Sequence, residues 1–282
     1  MFRRQKVLLY LIFILHQRNK KITKTYLDKL LFLLKKETRI DDFVRFYNFF
    51  PYNYGPFSNQ FYFDLSDLQS HAYLEDDFEL KVPAKEVEAF LHTKEKQLID
   101  GIVDKYGGYS TQEIKDYVYS KYPKYAEKSV LKPQTKKEIN NGIFSIGYEK
   151  KDIDLFLDFL IQNNIEVLVD VRANPFSMNF SFTKNKLTNY LSKVGIEYLH
   201  VPELGINGEY RKELDSDSDY KKLFAFYEGT ILPKQKNKVN MLQELGKNKR
   251  IALMCFEQDK EHCHRGVLSR WLEQNGIRVT HL

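Results

Sequence analysis

Residues 250–273 read RIALMCFEQDKEHCHRGVLSRWLE. The run 251–254 is apolar and of strand length, 266–273 has helical spacing, and the polar stretch between them carries Cys255, Glu257, His262, Cys263, His264 and Arg265. Strand, loop and helix start is the repeating unit of a parallel sheet, whose strand carboxyl ends and helix amino ends meet at a ligand-binding edge. Both cysteines of the chain lie here. Unpaired N–H groups at a helix start favour an anion and lower the pKa of a thiol among them, so Cys263 is the expected reactive thiol. Cys255 reads more readily as a small residue of a buried strand.

Working outward, the same alternation covers the second half of the chain. Apolar runs at 142–148, 166–171, 197–201, 250–255 and 278–282 are separated by helix-compatible segments at 151–163, 183–194, 219–247 and 265–275. The pattern predicts a parallel sheet covered on both faces, an α/β domain over 142–282. Residues 122–141, with Pro123, Pro133, several lysines and few apolar positions, read as a linker.

The front part, 1–121, reads as helices at 3–16, 24–36, 57–71, 85–106 and 111–120. Thr23 is placed to cap the second, residues 53–56 form a turn, and 73–82 suit a small hairpin. Helices followed by a hairpin suggest a winged helix-turn-helix. The aromatic series Phe43, Phe46, Tyr47, Phe49, Phe50, Tyr52 and Tyr54 is expected in a core, with base stacking as the rival use.

The formal charge is +6 over 282 residues, and the basic bias lies in the front half. Residues 1–36 hold ten Lys and Arg against Asp28 alone. Such a patch attracts polyanions, which makes nucleic acid or a nucleotide the first partner to consider and a protein partner the second. Arg3, Arg4 and Lys6 before the apolar run 7–15 imitate a secretory signal, but no small-residue cleavage site follows, and the run is too short to cross a bilayer. A buried first helix, no membrane and a reducing cytoplasm are the expectations.

Four loops fall at expected strand ends. The first carries Ser145, Gly147, Tyr148 and Glu149; the second runs from Asp170 and Arg172 to Pro175 and Ser177; the third, 202–205, offers least; the fourth holds the cysteines. Asp170 and Arg172, two apart on a strand, share one face. Phe176, Met178, Phe180 and Phe182 alternate with polar residues as a short strand or a lid would.

These four motifs, in this order, resemble the family catalogued as domain of unknown function 488, over roughly residues 142–282. The third motif departs from it, with Ile206 where a second glycine is frequent. The resemblance implies a Rossmann-like α/β fold with a polar pocket and an association with defence loci. At the front, residues 27–32 and 50–58 resemble the Panacea domain of antitoxins and of adaptors for toxins and defence proteins.

Three chemistries suit such a pocket. Glu257 or Asp170 activates water while Arg172 and Arg265, with Gly147 and Ser145, hold an anion. Alternatively Cys263 attacks as a thiolate, supported by His262 or His264. Last comes a zinc ion held by Cys255, His262, Cys263 and His264; adjacent side chains of a His-Cys-His run do not readily face one point, so no metal is assigned and the cofactor stays open. The expectation is nucleic-acid or nucleotide processing by hydrolysis, with Asp170, Glu257 and Cys263 catalytic and Tyr148, Glu149, Cys255, His262 and His264 in support. The rival is a sensor that binds without turnover.

Overall fold

The structure, a computed structural model, describes residues 1–127, 140–211 and 216–282. The chain divides into two compact units, Met1–Thr135 and Lys136–Leu282. Most of the expected linker lies outside the described residues. Its first residues differ from the expectation, because Tyr125 and Ala126 pack into the first unit's core, Tyr125 against the ring of Phe32.

The first unit is mainly helical: α1 (Arg3–Gln17), α2 (Lys24–Glu37), α3 (Asn59–Ser70), α4 (Ala84–Ala89), α5 (Thr93–Tyr106), α6 (Thr111–Lys121) and α7 (Pro123–Ala126). Thr23 and Ser58 cap α2 and α3 by accepting from the amides of Tyr26 and Phe61 at 3.2 Å. The run that imitated a signal is the buried side of α1, with Val7 to Phe13 and Leu15 in the core. Among the described residues no helix is long and apolar enough to cross a membrane.

The hairpin sits elsewhere than expected. Strands β1 (Phe50–Tyr52) and β2 (Gly55–Phe57) pair antiparallel through the turn at 53–54, whereas 73–82 forms a single bridge, Leu74 to Leu80. Gly55, at φ +90°, supplies the left-handed residue that so short a turn needs, and Phe50 meets Phe57 edge to face across it. Phe46, Tyr47, Phe49 and Phe50 are buried, which leaves Phe43 and Tyr54 as the exposed members of the aromatic series.

The second unit holds five parallel strands, β3 (Gly142–Gly147), β4 (Val167–Asp170), β5 (Glu197–His200), β6 (Arg250–Cys255) and β7 (Val279–His281), in the order β5-β4-β6-β3-β7. Helices α8 (Ile153–Gln162), α9 (Lys184–Lys193), α10 (Asp217–Phe226), α11 (Lys236–Asn248) and α12 (His264–Gln274) make the crossovers. The chain enters at β3, goes past the later place of β6 to β4 and β5, and returns to insert β6 between β4 and β3. That return brings the end of β6 between two strand ends laid down earlier, a crevice of the kind in which α/β sheets bind ligands.

Two expected helices are broken: 85–106 divides into α4 and α5, and 219–247 is interrupted. Residues 227–231 widen to a π turn and 232–235 tighten to 3-10 before α11 begins. Pro233 lacks an amide hydrogen and crowds the preceding turn, so a regular α-helix is not continued through it. The widened turn holds Tyr227 fully buried, its hydroxyl donating to the Leu204 carbonyl at 2.7 Å.

Candidate functional site

The carboxyl ends of β3, β4, β5 and β6 share one cavity of about 790 Å³. Its wall draws on all four loops, with Tyr148 from the first, Arg172 to Asn174 from the second, Pro202 to Gly208 from the third, and Cys255, Phe256 and His264 from the fourth. Two close backbone approaches shape it. Any side chain on Gly147 would run into the Glu257 carbonyl, and any on Gly205 would meet the backbone of Ala173. Gly147 therefore serves loop-to-loop packing rather than the approach of an anion.

Asp170 and Arg172 do face the same way, and they face each other. Arg172 Nε and Nη2 donate to the two carboxylate oxygens at 2.8 and 2.6 Å, and the Arg172 amide donates to Oδ1 at 3.1 Å. The Tyr198 hydroxyl donates to Oδ2 at 2.6 Å. The remaining guanidinium hydrogens reach the Tyr148 hydroxyl at 2.8 Å and the Phe182 carbonyl at 3.0 Å. Burial works against the Arg172 charge, but the hydrogen bonds and the negative charge of Asp170 outweigh it and raise its pKa. Asp170, fully buried and held from three sides, is a structural acid here rather than the base proposed from sequence.

Arg265 is buried as well. Its Nη1 donates to the Glu257 carbonyl, Nη2 to the Gln258 carbonyl at 3.0 Å, and Nε to Ser145 Oγ at 3.4 Å. It clamps the fourth loop onto β3 and does not line the cavity. Ser145 lies on the same buried track, with its hydroxyl 2.7 Å from His281 Nδ1, so neither residue presents an anion site. Glu149 accepts from the Gln258 amide at 2.9 Å and fastens the loop from the other side.

The two cysteines exchange their expected roles. Cys263 is buried in the core cluster with Val267 and Leu268, and burial, first of all, pushes its thiol well above the ordinary range. A helix start lowers a thiol pKa only where the thiolate keeps solvent or a partner charge. Cys255, at the end of β6, is the one on the cavity wall. Its thiol donates to Glu257 Oε2 at 3.2 Å, and its sulfur stands 3.5 Å from His264 Nδ1. His264 Nε2 donates to the Val171 carbonyl at 3.0 Å, which orients the ring, and Tyr227 packs edge-on against it.

His262 turns out to solvent beside Asp259, with Nδ1 3.2 Å from Oδ2, and takes no part. Cys255, Cys263 and His264 instead place their ligating atoms within 4.8 Å of one another. Tyr148 lies beside Cys255 on the neighbouring strand end, its amide donating to the Cys255 carbonyl at 3.3 Å, its ring stacked on Phe182 at 4.3 Å and its hydroxyl donating to Ser177 at 3.3 Å.

Residues 152–272 match the family model described as Domain of unknown function DUF488. That stretch is similar to the DUF488 family. The match takes in β4, β5 and β6 and most of α12 and leaves β3 and β7 outside it, so the first-loop motif contributes to the cavity from beyond the matched residues. No curated protein and no solved structure matches the chain.

Sequence reasoning passed over several residues of the cavity. The third loop brings Glu203, Ile206, Asn207 and Gly208, and the second brings Asn174 and Asn179. Glu203 is held below the usual carboxylate range by hydrogen bonding to Lys238, 2.8 Å away. An asparagine in a loop carries no signal of its own, whereas the glycine at 205 marked the close approach that turns this loop inward. Phe176 and Met178 line the cavity while largely exposed, Phe182 is buried, and 180–182 is a 3-10 turn rather than a strand.

Proposed function

We propose that the second unit takes a nucleoside or nucleotide into this cavity by its base and hydrolyses a bond of it, with Cys255, Glu257 and His264 as the working groups. The observation that carries this reading is the grouping of the other two side chains around the Cys255 sulfur, which donates to Glu257 at 3.2 Å and stands 3.5 Å from His264, with Cys255 and His264 on the cavity wall. A carboxylate and an imidazole on either side of a thiol are groups that move protons and activate water.

The rest of the lining favours recognition of a base over a phosphate. Arg172 is the only Lys or Arg among the described residues of the lining, and its guanidinium is committed to Asp170, Tyr148 and Phe182. The lining adds neutral amides at Asn174, Asn179 and Asn207, exposed rings at Phe176 and Phe256, and an acid, Glu203, that disfavours a phosphate further. Amides hydrogen-bond the edges of bases, and aromatic rings stack on their faces.

The test is product formation by the full chain against nucleosides, nucleotides and single-stranded oligonucleotides, followed by mass spectrometry. Glu257→Gln is expected to lower turnover by about 10²–10⁴-fold while ligand binding persists, the size of a lost general acid or base. Binding by the wild type without any product would leave the cavity a reading site and the protein a sensor.

A further inference from the structure

We infer that Cys255, Cys263 and His264 form a binding site for a thiophilic divalent cation of the zinc type, with its fourth position open to the cavity. The inference rests on the hydrolytic reading for its purpose, and on geometry alone for the binding itself.

The donor set is the first argument. Two sulfurs and one imidazole nitrogen, within 4.8 Å of one another, come from the end of β6 and the start of α12, and all three residues are buried. Thiolate and imidazole ligands select zinc and its soft neighbours over magnesium or calcium. With zinc bonds of about 2.3 Å to sulfur and about 2.0 Å to nitrogen, a tetrahedron has an S-to-N edge of about 3.5 Å. The observed Cys255–His264 separation is 3.5 Å.

Orientation is the second. The Nε2–H of His264 donates to the Val171 carbonyl, so Nδ1, the atom nearest the Cys255 sulfur, carries the ring's lone pair. Ligating histidines are held in this way by a carbonyl or carboxylate behind them. The packing of Tyr227 against the ring restricts its rotation further. The adjacency that argued against a metal disappears because His262 points outward and drops from the set, while Cys263 and His264 approach from the turn that opens α12.

Position is the third. Cys255 and His264 line the cavity and Cys263 closes the site from the core side. Three protein ligands and one open position make a catalytic rather than a structural zinc arrangement. An ion held there would lower the pKa of a water bound at the open position, the chemistry that a hydrolytic site uses.

Cobalt(II) titration of the full chain, freed of metal by a chelator and kept reduced, tests this. A thiolate-to-cobalt charge-transfer band with tetrahedral visible bands is expected to saturate at one ion per chain and to vanish on addition of zinc. Cys255→Ser and Cys263→Ser should each remove about half of the charge-transfer intensity, one thiolate of two. His264→Asn should weaken binding by about tenfold or more, and His262→Asn should leave it unchanged. Absence of the band in the wild type, or a band that survives both cysteine changes, overturns the site. Metal binding without turnover would leave this site standing and sink the hydrolytic reading; turnover without the cobalt band would do the reverse.

Discussion

At the scale of single residues, the pair Asp170 and Arg172 shows how a site-like motif can be a structural one. The carboxylate receives two guanidinium hydrogens, a backbone amide and the Tyr198 hydroxyl with no exposure to solvent. Breaking a buried pair from one side leaves the other charge stranded, at a cost of about 3–5 kcal/mol. Asp170→Asn is accordingly expected to lower the unfolding free energy by that amount, read as a lower urea midpoint with little change in the slope of the transition. A variant of full stability that has lost turnover would return Asp170 to the catalytic list. The position of the two thiols teaches the complementary lesson: i and i+8 along the chain gives no clue to which faces the cavity, because that depends on where β6 ends.

Among elements, the junction of α2, α5 and α6 is held by one acid. Glu37 accepts from Lys105 at 2.8 Å, from Lys121 at 2.8 Å and from the Tyr106 hydroxyl at 2.7 Å. Burial by itself pushes this carboxyl up, yet those hydrogen bonds prevail and hold it down at about 2, against an ordinary 4.5. A depressed acid contributes stability that is complete above the ordinary value and is lost as the pH falls from about 4.5 towards about 2. Both lysines are largely solvated, which discounts the contribution to about 1–2 kcal/mol at neutral pH. Glu37→Gln should therefore unfold earlier than the wild type in urea at pH 7, and the gap should narrow on titration to pH 3. An equal gap at both pH values would show that the carboxylate charge plays no part.

For the whole molecule, the two units carry separate cores, and the second contains every strand of the parallel sheet. A fragment beginning at Lys136 is expected to fold alone and to unfold in a single cooperative transition by calorimetry; a fragment that shows only molten behaviour would mean that the first unit completes it. The front unit's basic patch is also smaller than its composition. Of the ten cations in 1–36, Arg3, Arg4, Arg18, Lys29 and Lys35 are paired with Glu95, Asp64, Asp104, Asp28 and Asp41. Three of these acids lie far along the chain, so a local charge count could not anticipate them.

The sequence by itself determined the alternation of strands and helices in the second unit, the burial of α1 and the four loops that meet, because apolar period and chain-breaking residues act locally. It did not determine the working side chains, which depend on contacts between distant segments, while the hairpin at Gly55 and the break at Pro233 follow from local backbone chemistry that periodicity alone does not read. Only the tertiary structure decided that Arg172 and Arg265 brace loops, that Cys255 rather than Cys263 meets the cavity, and that His264 joins the thiols while His262 leaves them. The direction in which a side chain points is set by strand order and by the neighbours that order supplies, and neither is written in the spacing along the chain.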